Sequence, residues 1–212
     1  MEDGLGAGRL EVIAGPMFAG KSEELLRRVR RARIARRGVV VVSHALDDRR
    51  GVGRVSSHSG QEVPSHTVSD AGEIPGLIVD GTGHDDGAGA GGRTELVAVD
   101  EAQFFGAGLV PVVSELAGRG LVVVVAGLSV TFDGQPFAPL PELMALAESV
   151  EKLTAVCSVC GADAAFHVRL PAAPAVPDAG PAHPDDALVP VAAHVGGSES
   201  YEARCRRHAV VG

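Results

Sequence analysis

The sequence predicts an α/β fold built on a doubly wound parallel sheet. The apolar run Leu10–Ala14 leads directly into the glycine-rich loop Gly15–Ser22, and a helical pattern follows it. Further short apolar runs, rich in valine, alternate with segments of helical periodicity. Strands that alternate with helices form parallel βαβ units, and ligands bind at the carboxyl ends of such strands. We therefore expect a ligand site at that edge of the sheet.

The glycine-rich loop fits the phosphate-binding pattern G-x-x-x-x-G-K-[ST]. Its residues are Gly15, Pro16, Met17, Phe18, Ala19, Gly20, Lys21 and Ser22. In this motif backbone N–H groups turn toward phosphates, the lysine reaches the β- and γ-phosphates, and the hydroxyl ligates Mg²⁺. The chain has only two lysines, so a chance match is rare. The motif predicts nucleoside triphosphate binding; the alternative is a glycine-rich turn without a ligand.

The first helix carries an apolar stripe on one face and arginines on the other. We expect the basic run 27–37 to be its solvated face, with a nucleic-acid patch as the weaker alternative. Gly38 is expected to end this helix, and Val39–Val42 to form a buried strand. The stripe consists of Leu25, Leu26, Val29 and Ala32.

Two more buried strands and two more helices are expected further along. The strands are Glu95–Val99 and Leu121–Ala126, which brings the expected total to four. Leu109–Leu116 and Pro139–Val150 have helical spacing. The segment Ile74–Val79 fits either a short helix or a strand.

Three polar or low-complexity segments separate these elements. Ser43–Gly60 is either a mobile cationic cover for the phosphates or a surface loop. Asp80–Gly92 is expected to be a flexible insertion, and Pro171–Pro190 a poorly ordered or extended excursion.

Two acids follow directly after the strand Glu95–Val99. Asp100 is placed to hold Mg²⁺, directly or through water, as an acid after a buried strand does downstream of a phosphate loop. Glu101 is expected to face the other way, toward the acceptor hydroxyl of a kinase substrate. The alternative for either residue is a surface carboxylate at a strand end.

The C-terminal part contains a possible zinc site. Cys157 and Cys160, with Cys205 and His208, form the pattern C-x₂-C … C-x₂-H, which suits a closed tetrahedral Zn²⁺ site. The two pairs lie 44 residues apart, which is longer than usual. A redox pair and plain buried thiols are the alternatives. The other histidines show no ligand spacing, and most of them are expected in loops: His44, His58, His66, His84, His167, His183 and His194.

Composition excludes several classes of protein. The formal net charge of −8 argues against a broad nucleic-acid footprint. The N-terminal residues do not resemble a signal peptide, and no apolar run is long enough to span a bilayer. Three cysteines do not make a disulfide framework, so we expect a cytoplasmic protein.

The motifs together resemble the zinc-containing thymidine kinases of animal cytosol and many bacteria. The matching segments cover nearly the whole chain apart from the two low-complexity spacers. They are the phosphate loop with residues 23–28, Asp100–Phe105, Thr131–Phe132, Pro136–Phe137, Leu146–Val150, Lys152–Cys157, Gly196–Gly197, Tyr201 and Cys205–His208.

This resemblance implies transfer of the ATP γ-phosphoryl group to the 5′-hydroxyl of thymidine, giving dTMP for DNA precursor synthesis. It implies a RecA-like phosphate-loop sheet with helices on both faces, expected over residues 1–151. A small zinc-ribbon domain with a lasso loop is expected over residues 152–212. The resemblance also implies a cytoplasmic homotetramer inhibited by thymidine triphosphate, with no nucleic-acid or membrane partner.

The resemblance also implies roles for individual residues. Glu101 would be the general base. Arg49, Asp100 and Gln103 would join the eight loop residues in the ATP–Mg²⁺ site. The nucleoside would be bound by Met17, Phe104, Leu128, Phe132, Phe137, Ala192, Ala193, His194, Val195, Gly196 and Tyr201. Structural zinc would be held by Cys157, Cys160, Cys205 and His208.

The chain departs from the family pattern at three points. Ser129 stands where an aspartate is expected, residues 171–190 are long for the lasso, and His208 replaces a fourth cysteine. Three other functions remain as alternatives: a P-loop ATPase or GTPase switch, another nucleoside or nucleotide kinase with a zinc ribbon, and a zinc-ribbon nucleic-acid module with an ATPase engine.

Overall fold

The computed structural model describes residues 8–46, 53–56, 60, 62–79, 93–170 and 200–209. The predictions for Arg49, for the spacers 80–92 and 171–190, and for the thymine segment 192–196 lie outside these residues. Within them, the α-helices are α1 (Lys21–Ile34), α2 (Leu109–Gly118) and α3 (Leu140–Leu146), and two 3₁₀ segments span Ala71–Leu77 and Ala102–Gly108. The strands are β1 (Arg9–Gly15), β2 (Gly38–His44), β3 (Arg54–Ser56), β4 (Glu62–Pro64), β5 (His66–Val68), β6 (Thr94–Val99), β7 (Val122–Leu128), β8 (Ser149–Lys152), β9 (Ala155–Val156), β10 (Asp163–Ala164), β11 (Phe166–Arg169) and β12 (Tyr201–Arg204).

Six of these strands form one central sheet in the order β5-β2-β6-β7-β1-β8. All five neighbouring pairs run parallel. The predicted α/β class is therefore confirmed. Since β7 lies between β6 and β1, the carboxyl ends of these three strands meet at the centre of one sheet edge.

Helices cover both faces of the sheet because alternate strand residues point to opposite sides. On one face, Val12, Val97 and Val123 belong to an aliphatic cluster that also includes Leu109 and Leu116 of α2 and Leu140 and Leu143 of α3. On the other face, the neighbouring strand residues pack against the predicted apolar stripe of α1. All four residues of that stripe are buried in this second cluster: Leu25, Leu26, Val29 and Ala32.

Two details of the predicted elements are wrong. Gly38 does not end α1: the helix ends at Ile34, and Arg36 has the positive φ of 57°. Gly38 instead begins β2, where a Cβ would lie 2.2 Å from the Arg93 carbonyl oxygen. The helix expected to reach Val150 stops at Leu146, and Ser149–Lys152 pairs with β1 as a sixth strand.

Residues 155–169 and 200–209, which we call the ribbon, contain two short antiparallel ladders. Strand β9 pairs with β10, and β11 pairs with β12 so that Tyr201 lies opposite Arg169. The ribbon's own cluster is small and consists mostly of alanine and cysteine: Ala155, Cys157, Ala164, Ala203 and Cys205. None of the helices in the described parts of the chain has the length and apolar character needed to cross a bilayer.

Candidate active site

The phosphate loop lies between the end of β1 and the first residue of α1. Two of its residues have left-handed backbones, Phe18 with φ of 65° and Gly20 with φ of 82°. The Lys21 side chain is buried, and its ammonium donates a 2.8 Å hydrogen bond to the Pro16 carbonyl oxygen. Gly15 is required where it stands, because a Cβ there would lie 2.7 Å from the Leu153 carbonyl oxygen. The cationic group is thus held inside the loop.

The two acids form a tight turn after β6. Asp100 is buried, and its carboxylate accepts a 3.0 Å hydrogen bond from the Glu101 backbone N–H. Glu101 has φ of 51° and ψ of 49°, the left-handed region that non-glycine residues seldom occupy. Such a backbone is kept only where its surroundings impose it, and it is concentrated at functional sites.

The Gln103 side chain connects this turn to the neighbouring strand. Its amide donates to the Glu101 carboxylate at 2.5 Å, and its oxygen accepts from the Leu128 backbone N–H at 3.0 Å. Gln103 is only 1% exposed, so water competes little for either hydrogen bond. The structure therefore places Gln103 as a support for Glu101. Its assignment to the ATP–Mg²⁺ site stays a prediction.

These contacts continue to the phosphate loop. Leu128 at the end of β7 is the register partner of Gly15, the first loop residue, and Ser129 N–H donates to the Gly15 carbonyl oxygen at 3.2 Å. Glu101, Gln103, Leu128 and Gly15 thus form one connected path across three strand ends. The acid turn and the phosphate loop lie on either side of the end of β7.

An apolar cluster lies beside this path and contains five of the six described residues that were predicted to bind the nucleoside. Its buried members are Met17, Leu128, Phe137 and Tyr201, and Phe132 packs against them. Phe104, the remaining described residue of that prediction, is buried beside His44, with ring centroids 6.1 Å apart.

Sequence reasoning missed the position of His167, which is not a loop residue. It is the second residue of β11 and only 1% exposed. Its Nδ1 accepts a long hydrogen bond of 3.5 Å from the Met17 backbone N–H, and its ring lies edge-on to Tyr201 at 5.8 Å. His167 thus joins the ribbon to the phosphate loop and to the apolar cluster, a contact that no local pattern indicates.

Ser129, the departure noted in the sequence, is also buried. Its Oγ has no hydrogen-bond partner among the residues that the structure describes. Its backbone carbonyl oxygen does have a partner, because it accepts a 3.2 Å hydrogen bond from the Phe137 N–H. The aspartate expected from the resemblance would bring a charge to this position, whereas the serine brings none.

The four predicted metal ligands converge in the ribbon. Their ligand atoms all lie within 4.8 Å of one another. Cys157 Sγ is 3.6 Å and Cys205 Sγ 3.3 Å from His208 Nδ1, and Cys160 Sγ is 3.8 Å from Cys205 Sγ. Ligands of a tetrahedral Zn²⁺ are separated by roughly 3.5–3.8 Å, given bond lengths of about 2.0–2.3 Å. The site therefore fits a metal ion of this size and ligand preference.

The electrostatics of this cluster also suit a cation. Burial raises the pKa of Cys157, but N–H groups of Cys205, Val159 and Cys160 together with the His208 ring outweigh it and lower that pKa to about 5. The Ala162 N–H lowers the pKa of Cys160, yet burial and the two neighbouring cysteines leave it raised. One thiolate thus forms readily, and further negative charge requires a cation among the sulfurs.

Comparison with known proteins agrees with this geometry. The family model for thymidine kinase matches residues 8–209. A thymidine kinase of Deinococcus deserti is 47% identical over 205 residues, covering 96% of this chain and 95% of its own. A thymidine kinase of Deinococcus radiodurans is 47% identical over 196 residues (92% and 87%), and one of Halobacterium salinarum 44% over 209 residues (97% and 95%). The chain therefore belongs to the thymidine kinase family.

Proposed function

We propose that the protein is a thymidine kinase that transfers the γ-phosphoryl group of ATP to the 5′-hydroxyl of thymidine. One observation carries the proposal. A buried glutamine holds the Glu101 carboxylate at the end of β6, one strand away from a phosphate loop whose lysine is buried inside it. A base and a phosphate clamp at the same sheet edge, with only the end of β7 between them, are what a kinase of small alcohols needs.

The phosphate loop supplies the electrostatic part of the reaction. Lys21 exchanges its bond to the Pro16 carbonyl for the β- and γ-phosphates, and the loop N–H groups bind the same oxygens. Asp100 and the Ser22 hydroxyl are the residues that would hold Mg²⁺. When bound, the ion would supply positive charge that offsets the negative charge developing on the phosphates during transfer.

Glu101 supplies the proton acceptor. The hydrogen bond from Gln103 holds its carboxylate beside the turn, where the Glu101 backbone is left-handed. We assign Glu101 to accept the proton of the 5′-hydroxyl as the bond to phosphorus forms, a role that commonly contributes on the order of 10²–10⁴ in rate.

The nucleoside would lie against the apolar cluster of Met17, Leu128, Phe132, Phe137 and Tyr201. Backbone groups of residues 192–196 would bind the thymine ring. The four ribbon ligands would hold Zn²⁺, which when bound closes the two knuckles into one unit. Structural zinc of this kind contributes directly to folding and leaves no open position for chemistry.

Several features stay predictions of the resemblance and the composition. They are the homotetramer, inhibition by thymidine triphosphate, the part of Arg49 near the phosphates, and the cytoplasmic location. We also retain the division into residues 1–151 and 152–212 as a proposal. Support comes from the two separate hydrophobic clusters of the sheet and the small separate cluster of the ribbon.

A steady-state assay of ATP consumption tests the proposed function against its alternatives. The full chain, loaded with zinc, is assayed with thymidine, with other nucleosides and nucleotides, with single-stranded DNA, and without an acceptor. Consumption that depends on thymidine and yields dTMP is the expected result. Turnover with nucleic acid alone, or with no acceptor at all, would contradict the proposal and favour an ATPase.

A further inference from the structure

His44, the last residue of β2, lies in the protein interior beside the acid turn. It is 7% exposed, and both nitrogens of its ring have partners. Nδ1 accepts a 3.0 Å hydrogen bond from the Leu46 backbone N–H, and Nε2 lies 3.1 Å from the Ser69 carbonyl oxygen. A carbonyl oxygen only accepts, so the proton must be on Nε2.

The same ring packs against the turn that follows Glu101. It meets the Phe105 ring edge-on with centroids 4.7 Å apart, and the tilted Phe104 ring lies at 6.1 Å. The end of β2 is tied to this turn a second time, because the Asp100 N–H donates to the Val42 carbonyl oxygen at 3.0 Å. The His44 side chain therefore connects the ends of β2 and β5 to the segment that follows the acid turn.

The turn needs such support, since Glu101 occupies a left-handed backbone with φ of 51°. A non-glycine residue there carries a free-energy cost relative to the ordinary regions of backbone conformation. The contacts that offset this cost must come from outside the turn. Gln103 provides one on the side of β7, and His44 is the corresponding contact on the side of β2.

We propose that His44 is a positioning residue for the kinase reaction: its neutral, Nε2-protonated ring holds the Phe104–Phe105 turn so that Glu101 keeps its productive orientation. This inference rests on the proposed function, because Glu101 is the base there. Protonation of Nδ1 would remove the acceptor for Leu46 and set two donors against each other.

The environment of the ring favours the neutral form. Burial lowers the pKa of His44, while the bond to the Ser69 carbonyl and the carboxylates of Asp70 and Glu73 partly oppose that shift. The two phenylalanine rings on the other side bring no charge. A histidine with a lowered pKa stays neutral through the physiological range and becomes charged only under acid conditions.

The first test is spectroscopic and uses the wild-type, zinc-loaded full chain. Two-bond ¹H–¹⁵N correlations report the tautomer of each histidine, and the His44 signal is identified by its loss in His44→Asn. We expect a neutral Nε2–H ring at pH 7. A protonated ring or an Nδ1–H tautomer would overturn the proposal, whatever the variants do.

The second test is kinetic. His44→Phe keeps an aromatic ring beside Phe105 but loses both hydrogen bonds, and His44→Asn keeps an acceptor for the Leu46 N–H. His66, an exposed histidine on the neighbouring β5, provides the matched control His66→Asn. We expect kcat for thymidine to fall about tenfold in His44→Phe, less in His44→Asn and not at all in the control, with KM for ATP unchanged.

These outcomes distinguish a positioning role of His44 from a purely structural role and from a failure of the proposed function. Wild-type kcat in His44→Phe, or a parallel loss of kcat, ATP affinity and thermal stability, would overturn the positioning role. If the wild type shows no turnover with thymidine, the proposed function fails. The tautomer measurement still decides in that case whether His44 holds the turn in the way described.

Discussion

The sheet edge and the ribbon hold their functional residues in different ways. At the sheet edge, Asp100, Gln103 and Lys21 are fixed by buried strands and by hydrogen bonds between strand ends. The ribbon has two short ladders and a cluster made mainly of alanine and cysteine. So small an apolar cluster contributes little burial energy, and we therefore expect a bound metal to supply the rest.

From this difference we expect the binding of the two substrates to depend on different forces. The triphosphate site is expected to persist wherever the sheet is folded. In the proposed function the nucleoside would contact Tyr201 and residues 192–196, so we expect nucleoside binding to depend on the ribbon. The regions do touch, since Phe18 and Ala19 of the phosphate loop pack against the ribbon cluster. Substitutions at the sheet edge and in the ribbon can therefore show whether ATP binding and nucleoside binding are lost independently.

The largest effect is expected from Lys21→Ala. The substitution removes the cation that neutralises the transferring phosphates, and we expect kcat to fall by on the order of 10³ or more. The fold should stay intact, because the sheet packing does not use this side chain. Steady-state kinetics and circular dichroism measure both effects. Lys152→Ala, which removes the other, exposed lysine, is the control. A fully active Lys21→Ala protein would mean that the phosphate-loop assignment is wrong.

Glu101→Gln is expected to lower kcat by on the order of 10²–10⁴, the range for loss of a general base. ATP affinity should change little, because Asp100 and the phosphate loop remain. Single-turnover kinetics combined with calorimetric titration of ATP separates the two quantities. Collapse of ATP binding with a surviving chemical step would identify Glu101 as a metal ligand instead.

Gln103 allows a finer test of the sheet edge. Gln103→Glu keeps an acceptor for the Leu128 N–H but replaces the donor to Glu101 with a second carboxylate. Because two carboxylates would then lie together in a buried site, we expect kcat to fall about tenfold or more and stability to fall as well. Gln103→Leu should also lose stability, by about 1–3 kcal/mol, because a buried N–H loses its partner. Unfolding in urea measures this loss, and equal kcat in wild type and Gln103→Glu would rule out the supporting role.

The smallest effect concerns the ion pairs that Glu24 makes within α1, with Arg27 and Arg28. The hydrogen bond from Arg27 lowers the pKa of Glu24 to about 2, with burial opposing and Arg28 adding to the shift. The folded protein therefore binds this proton less readily than the unfolded chain. The resulting stability is complete above pH 4.5 and is lost as the pH falls toward 2.

Because this pair lies at the surface, Glu24→Gln should cost no more than about 1 kcal/mol at pH 7. The difference from wild type should shrink at pH 3, as urea unfolding at both values would show. Glu95→Gln, an exposed position on β6, serves as the control. A difference that grew on acidification would contradict the sign of the shift.

The sequence alone predicted the sheet strands that are buried. β1, β2, β6 and β7 are near-continuous aliphatic runs, which is the pattern of strands covered on both faces. β8 was missed because Ser149–Lys152 is exposed throughout, while Val150 continues the helical spacing of α3. Its strand conformation comes from pairing with β1, a long-range interaction that overrides the local period.

The same distinction applies to the candidate site. Motifs with local spacing, such as the phosphate loop, the acid pair and the two knuckles, could be recognised one by one. The Gln103–Leu128 bond and the position of His167 join residues far apart in sequence, and no local pattern indicates them. His44 did leave a signal, because it is a polar residue that follows the run Val39–Val42 after a single serine, at the end of the strand.

The central claim is that zinc in the ribbon is required to bind the nucleoside and not the triphosphate. Cys205→Ser removes one of the four converging ligands, with wild type stripped of metal and then reloaded with zinc as the control. The measurement is calorimetric titration of thymidine and, separately, of ATP, with metal content determined for each sample. We expect thymidine affinity to fall much further than ATP affinity, and bound zinc to drop below one per chain. Equal losses for both ligands would show that the metal holds the whole fold, and unchanged thymidine binding without zinc would contradict the account outright.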